Sequence, residues 1–160
     1  EEVWFIVSPQ NPLKQRAQLL DDYQRLHLVH LALRDFTKFK VSDIEFKMPK
    51  PSYTVDTLAY LDEKFPGRNF ALIMGEDNLD SFTKWKNYEQ LIDQRKIYLY
   101  PRPGSPETPF HRHPNVHLIK APLMEISSSF IREAIAEGKD MKYFLPVKVY
   151  EYIDKMLFYR

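Results

Sequence analysis

The sequence contains no cysteine. Disulfides, thiolate nucleophiles and cysteine-held metal sites are therefore excluded. Glycine is scarce, with 4 in 160 residues, and no Gly-rich Walker loop occurs. No Ser/His/Asp order for a nucleophilic triad is legible either. Neither sign of charge dominates: Lys+Arg number 23 against 22 Asp+Glu, a net charge of +1. Such a balance argues against a general nucleic-acid binder that works through a broad basic surface. No apolar run approaches the length of a membrane span, and no stretch reads as a signal peptide. Together with the missing cysteines, this leads us to expect a cytoplasmic protein with neither nucleic acid nor membrane as partner.

What is present is ordinary for a globular chain: 44% hydrophobic and 28% charged residues. A length of 160 residues suits one domain with a full core. The chain opens at Glu1 and enters the strand-like run Val3-Trp4-Phe5-Ile6-Val7 at once, and we expect a segment to precede it. Five runs rich in β-branched and aromatic residues predict strands: Val3–Ser8, Phe39–Phe46, Asn69–Met74, Lys96–Tyr100 and Val116–Lys120. Helical spacing falls between or after them. Over Asp21–Arg34 the predicted face is Tyr23, Leu26, Val29 or His30, and Leu33. Thr54–Phe65 carries Val55, Leu58 and Leu61, and Pro66-Gly67 ends it. Tyr88, Leu91 and Ile92 mark a shorter helix, and Ser128–Glu137 closes at Gly138. The last helix follows Pro146 with Val147, Tyr150, Ile153 and Leu157 on one side. Alternation of this kind predicts an α/β fold, a Rossmann-like parallel sheet with helices on both faces. Ligands of such sheets bind beyond the carboxyl ends of the strands.

Several features near those ends suit a phosphorylated, flat ligand. Ser127-Ser128-Ser129 stands where a helix begins, with Arg132 in its first turns. Unpaired N–H groups, the positive end of the helix dipole and a forked cation make a phosphate site there. A surface cap beside a solvated arginine is the plainer account. Pro51-Ser52-Tyr53-Thr54 leads into another helix; Ser52 or Thr54 can cap it, leaving N–H groups for a carboxylate or phosphate. Gly75-Glu76-Asp77 follows an apolar strand, so a ligand can approach the Gly75 backbone while Asp77 bonds ribose hydroxyls or helps to hold a metal ion. Trp85, next to Lys86, offers an indole face to a heterocycle. Asn11 and Lys14, off the first strand, suit a sugar or phosphate. The pairs His27/His30 and His111/His113 have metal-like spacing without a third ligand; the helical pair is assigned to packing and no metal site to the protein. The stretch 101–115, rich in Pro and His, reads as an exposed loop or small lid.

In order along the chain, EEVWFIVSPQNPLK, VSDIEF, PSYTVDTL, GEDNLDSFTKW, YPRPG, EISSSFIR and YFLPVKVYEYI resemble the bacterial nicotinate mononucleotide adenylyltransferases of the HxGH nucleotidyltransferase superfamily. The resemblance covers nearly the whole chain. It implies adenylyl transfer from ATP, with Mg2+, to nicotinate mononucleotide, giving deamido-NAD and pyrophosphate. It further implies that Ser52, Tyr53 and Thr54 receive the nicotinate carboxylate, with Trp85 on the ring and the Lys86 backbone beside it. Asn11 and Lys14 would lie by the mononucleotide phosphate. Gly75 and Asp77 would meet adenosine, and Ser127, Ser128, Ser129 and Arg132 the triphosphate. Lys14 and Arg132 are the catalytic residues on this reading.

Two departures stand out. Leu13 occupies a place where many relatives have histidine, and no His-x-Gly-His occurs in the chain. The resemblance implies that this segment, with the first strand and helix of the fold, lies before Glu1, so the chain is one nucleotidyltransferase domain that is incomplete at its N-terminus. The alternatives are another adenylyltransferase, such as the phosphopantetheine-specific kind, and a nucleotide-binding module that has lost catalysis. Oligomeric state is left open, a homo-oligomer included.

Overall fold

A computed structural model describes residues 1–10 and 19–160. The strands are β1 (Val3–Ile6), β2 (Phe39–Ser42), β3 (Leu72–Gly75), β4 (Ile97–Tyr100) and β5 (Val116–Leu118). The helices are α1 (Asp22–Leu33), α2 (Thr54–Lys64), α3 (Tyr88–Gln94), α4 (Ser128–Ala136) and α5 (Val147–Lys155). All five predicted strands and all five helices are present, with shifted ends. β2 stops at Ser42 because the Ser42 hydroxyl accepts the Ile44 N–H at 3.3 Å, turning the chain into a 3₁₀ stretch at Ile44–Lys47.

The described residues divide into two compact units, one formed by residues 1–52 and 126–160, the other by 53–125. In the first, β1 and β2 pair in parallel with Ile6 opposite Ser42. Its core gathers Ala134, Ile135, Met141, Val149, Ile153 and Phe158. Packing here corrects two predicted faces. From α1 it is Leu28, Leu31 and Ala32 that lie against this core, while Tyr23 is 69% exposed. α1 has apolar residues nearly all round, so periodicity alone does not choose its inner side. α5 buries Ile153 as predicted, but with Val149 in place of the exposed Val147 and Leu157; Leu157 lies past the helix end with φ 53°. The end of α4 is as expected: Gly138 has φ 76°, and the Lys139 N–H reaches back to the Ala134 carbonyl at 2.9 Å.

In the second unit, β3, β4 and β5 form a parallel sheet in that order. Leu58 and Leu61 of α2 and Leu91 and Ile92 of α3 are buried, as are Met74, Ile97, Leu99 and Val116 from the strands. The register sets Gly75 opposite Tyr100, so the chain leaving β3 runs beside the chain leaving β4. That alignment places Gly75-Glu76-Asp77 next to Pro101-Arg102.

Candidate functional site

After β3 the chain does not form an α-helix. Glu76–Lys84 is a nine-residue 3₁₀ stretch, in which side chains three apart eclipse one another. Leu79 and Phe82 fall at that spacing and are buried at 1% and 0% exposure. Trp85 comes three residues later and ends the stretch, its N–H bonded to the Phe82 carbonyl at 2.9 Å. Its ring is half-buried and lies 5.4 Å from that of Phe82, which Tyr88 and Phe110 flank at 5.9 and 5.4 Å. The indole is thus carried on an aromatic base. Its Nε1 is enclosed without a hydrogen-bond partner among the described residues, an uncommon state for a buried indole.

Lys86 ties this segment to the start of α2. Its Nζ donates to both oxygens of Asp56, at 2.7 and 3.1 Å, and lies 4.9 Å from the Tyr53 ring centre. Asp56 sits in the first turn of α2, yet its carboxylate is drawn to Lys86. First-turn N–H groups have no intrahelical acceptor. Neither Ser52 nor Thr54 caps this helix, contrary to expectation: Tyr53 is the N-cap residue, and among the described residues no side chain caps the first-turn N–H groups. Ser52 lies one position before the N-cap; it is buried at 7% exposure, and its hydroxyl has no partner among the described residues.

At the β3 end a Cβ on Gly75 would come within 2.3 Å of Asp77 Oδ1, so the Asp77 carboxylate folds over a space that only glycine leaves open. Arg102 Nε stands 3.8 Å from the same oxygen, with its guanidinium 5.6 Å from the Tyr100 ring centre. A carboxylate and a cation therefore meet at the carboxyl ends of two adjacent parallel strands.

In the other unit, α4 begins as the serine run predicts. Ser127 is the N-cap, its hydroxyl accepting the Phe130 N–H at 3.1 Å. Ser129 is one turn from Arg132, whose Nη2 donates to the Ser129 hydroxyl at 3.1 Å. All three serines are exposed, and Arg132 is half-buried. The three hydroxyls thus have different duties: Ser127 closes the helix, Ser129 orients the guanidinium, and Ser128 is free among the described residues. Arg132 also acts on Tyr159. Burial pushes that phenol above its usual pKa, and the charges of Arg132 and Arg25 draw it back. Asn11 and Lys14 lie outside the described residues.

Comparison with known proteins identifies the family and the fold. A cytidylyltransferase-like family model matches residues 1–134. A probable nicotinate-nucleotide adenylyltransferase of Flavobacterium psychrophilum is 55% identical, across 100% of this chain and 84% of its own length. The chain belongs to the nicotinate-nucleotide adenylyltransferase family. A member from Cytophaga hutchinsonii is 47% identical over 99% of the chain and 83% of its own. The fold agrees with that of Plasmodium falciparum nicotinic acid mononucleotide adenylyltransferase, solved in complex with NaAD. The TM-score is 0.81 at 20% identity, over 99% of this chain and 82% of that one.

Sequence reasoning does not single out Asp56 or Arg102 in this adenylyltransferase, and it assigns His111 no partner in the site. Asp56 lies inside the PSYTVDTL motif, and its pairing with Lys86 spans 30 residues. Only the fold brings them together. Arg102 had a signal, because it follows a predicted strand end. By spacing His111 reads as half of a metal pair with His113, whereas its Nε2 lies 3.0 Å from Glu76 Oε1. Of the helical pair, His27 packs its ring 4.6 Å from that of Tyr152.

Proposed function

We propose that this enzyme transfers the adenylyl group of ATP to nicotinate mononucleotide, giving deamido-NAD and pyrophosphate in NAD biosynthesis. The observation that carries the reading is the tie between Trp85-Lys86 and the start of α2. A supported ring, a cation and unpaired helix N–H groups in one unit suit a flat aromatic carboxylate. A phosphate oxygen of the mononucleotide attacks the α-phosphorus of ATP. The new P–O bond forms as the bond to the bridging oxygen of the β-phosphate breaks, and pyrophosphate leaves with that electron pair. Nucleophile and leaving group both belong to substrates. The protein's part is alignment and charge stabilisation, which agrees with a sequence that has no nucleophilic triad.

On this reading Thr54, with Ser52 and Tyr53, receives the nicotinate carboxylate, while Trp85 stacks on the pyridine ring and the Lys86 N–H closes the pocket. Gly75 and Asp77 meet the adenosine. Ser127, Ser128, Ser129 and Arg132 hold the triphosphate, and Arg132 takes up charge developing on pyrophosphate. Asn11 and Lys14 take the mononucleotide phosphate. The described residues contain no group of three or more metal-ligating side chains. Mg2+ would enter with the ATP phosphates, and the exposed Asp77 carboxylate is a residue that would help to hold it. Bound so, the ion neutralises phosphate charge. We take the chain as one nucleotidyltransferase domain acting in the cytoplasm; among the described residues no helix is long and apolar enough to cross a membrane.

The test is an acceptor comparison on the full-length protein: ATP with nicotinate mononucleotide, nicotinamide mononucleotide or phosphopantetheine. Turnover should be fastest with the first. Preference for phosphopantetheine would overturn the reading, and ATP binding without turnover on any acceptor would leave only a nucleotide-binding module.

A further inference from the structure

Glu76 and Asp77 are adjacent acids with opposite surroundings. The Asp77 side chain is 63% exposed; that of Glu76 is 14% exposed, and both its oxygens are taken by protein donors. Oε2 accepts the Arg102 N–H at 3.2 Å, where the chain leaves β4. Oε1 lies 3.0 Å from Nε2 of His111, a ring only 15% exposed. On the other side of that ring, Nδ1 lies 3.0 Å from the Thr108 N, 3.1 Å from its hydroxyl and 3.1 Å from its carbonyl oxygen. In the tautomer in which Nδ1 accepts the Thr108 N–H, Nε2 carries the hydrogen and donates it to Glu76. His111 belongs to the short 3₁₀ turn Pro109–Arg112, whose capping box with Thr108 holds the ring in place. One carboxylate therefore fastens three segments: the end of β3, the start of the chain after β4, and the turn within the loop 101–115.

We propose that Glu76 is a positioning residue for the nucleotide end of the site and that His111 completes the device. By holding the Arg102 backbone and the Pro109–Arg112 turn against the end of β3, it presents the Asp77 carboxylate and Arg102 guanidinium to ATP already arranged. Glu76 does not touch the nucleotide; its oxygens are spent on the protein. The loop 101–115 is thereby a fixed wall of the nucleotide end rather than a free lid. The inference rests on the reading of Gly75 and Asp77 as ATP contacts.

Steady-state kinetics on the full-length protein test it, with KM for ATP and for the mononucleotide measured separately. Loss of a charge-assisted, largely enclosed hydrogen bond in Glu76→Ala should raise KM for ATP about tenfold, with the mononucleotide KM and kcat within about twofold. Glu76→Gln keeps one acceptor oxygen for two donors and should recover part of the loss. His111→Phe keeps a ring without its nitrogens and should shift KM for ATP in the same direction. The double variant Glu76→Ala/His111→Phe should cost no more than Glu76→Ala. Equal rises in both KM values, or additive effects of the two substitutions, would overturn the proposal. If Glu76→Ala does not fold, Glu76→Gln and His111→Phe carry the same comparison. Asp77→Ala separates the two layers. Unchanged KM for ATP there sinks the ATP reading itself. A raised KM in Asp77→Ala with none in the Glu76 and His111 variants sinks only the positioning role.

Discussion

The Lys86 ammonium lies 2.7 Å from the Asp56 carboxylate, joining the residue after the tryptophan to the first turn of a helix that begins 32 positions earlier, at Thr54. Both side chains are more than 40% exposed, so the pair contributes at most about 1 kcal/mol to folding. Its consequence is electrostatic. Asp56 offsets the Lys86 charge beside a site assigned to a carboxylate. Asp56→Asn should therefore increase the preference for the acid over the amide mononucleotide, by about threefold, and Lys86→Ala should lower it; both effects should shrink in high salt. The ratio of kcat/KM for the two acceptors is the measurement.

Trp85 rests on Phe82. Trp85→Ala should weaken the mononucleotide by about 1–3 kcal/mol of stacking while ATP affinity is nearly kept. Since the indole N–H has no partner among the described residues, Trp85→Phe breaks no hydrogen bond there and should restore much of the loss. Unchanged mononucleotide affinity in the alanine variant would refute stacking.

Gly75 has φ −67°, a conformation open to any residue, so the demand for glycine is spatial. In Gly75→Ala the new Cβ drives Asp77 Oδ1 from a position only 2.3 Å away. KM for ATP should rise, while β3 pairing and the melting temperature change little. Calorimetry and kinetics on the same sample check both halves.

The serine run separates into structural and chemical parts. Ser127→Ala removes the α4 cap and should cost about 1 kcal/mol of stability. Arg132→Ala should leave the fold intact and lower kcat by about 10²–10³-fold, as loss of a charge-stabilising donor does. Arg132→Lys keeps the charge but not the fork and should fall between.

Tyr159 reports on Arg132 from another direction. Its pKa is raised above 10.0 by burial, which the charge of Arg132 opposes. Arg132→Ala should push the phenol higher still, followed by NMR of ring-labelled tyrosine. A folded-state pKa above the unfolded one means that the native state holds its proton longer. The associated stability is complete below the ordinary tyrosine range and declines as pH rises through the folded value. Alkaline unfolding curves of the two proteins test the sign.

Much of the molecule is legible in local pattern. β-branched runs give β1 to β5, Pro66-Gly67 and Gly138 stop their helices, and Ser127 to Ser129 announces the start of α4. Less legible are the faces of α1 and α5. α1 carries apolar residues on most sides, and only the core cluster around Ile135 and Ile153 selects Leu28, Leu31 and Ala32. The 3₁₀ stretch Glu76–Lys84 was also hidden, since Leu79 and Phe82 at a spacing of three fit an α-helix nearly as well.

Residue type and chain order by themselves determined the α/β class, the family and the positions of the serine run, the Gly75-Glu76-Asp77 turn and Trp85. These depend on local propensity and on motifs a few residues long. Tertiary structure decided which side chains act together: Lys86 with Asp56, Arg102 with Asp77, and Glu76 with His111 across 35 residues. Such pairings depend on strand register and on how the turns pack, and those are set by burial of distant apolar residues rather than by the local sequence.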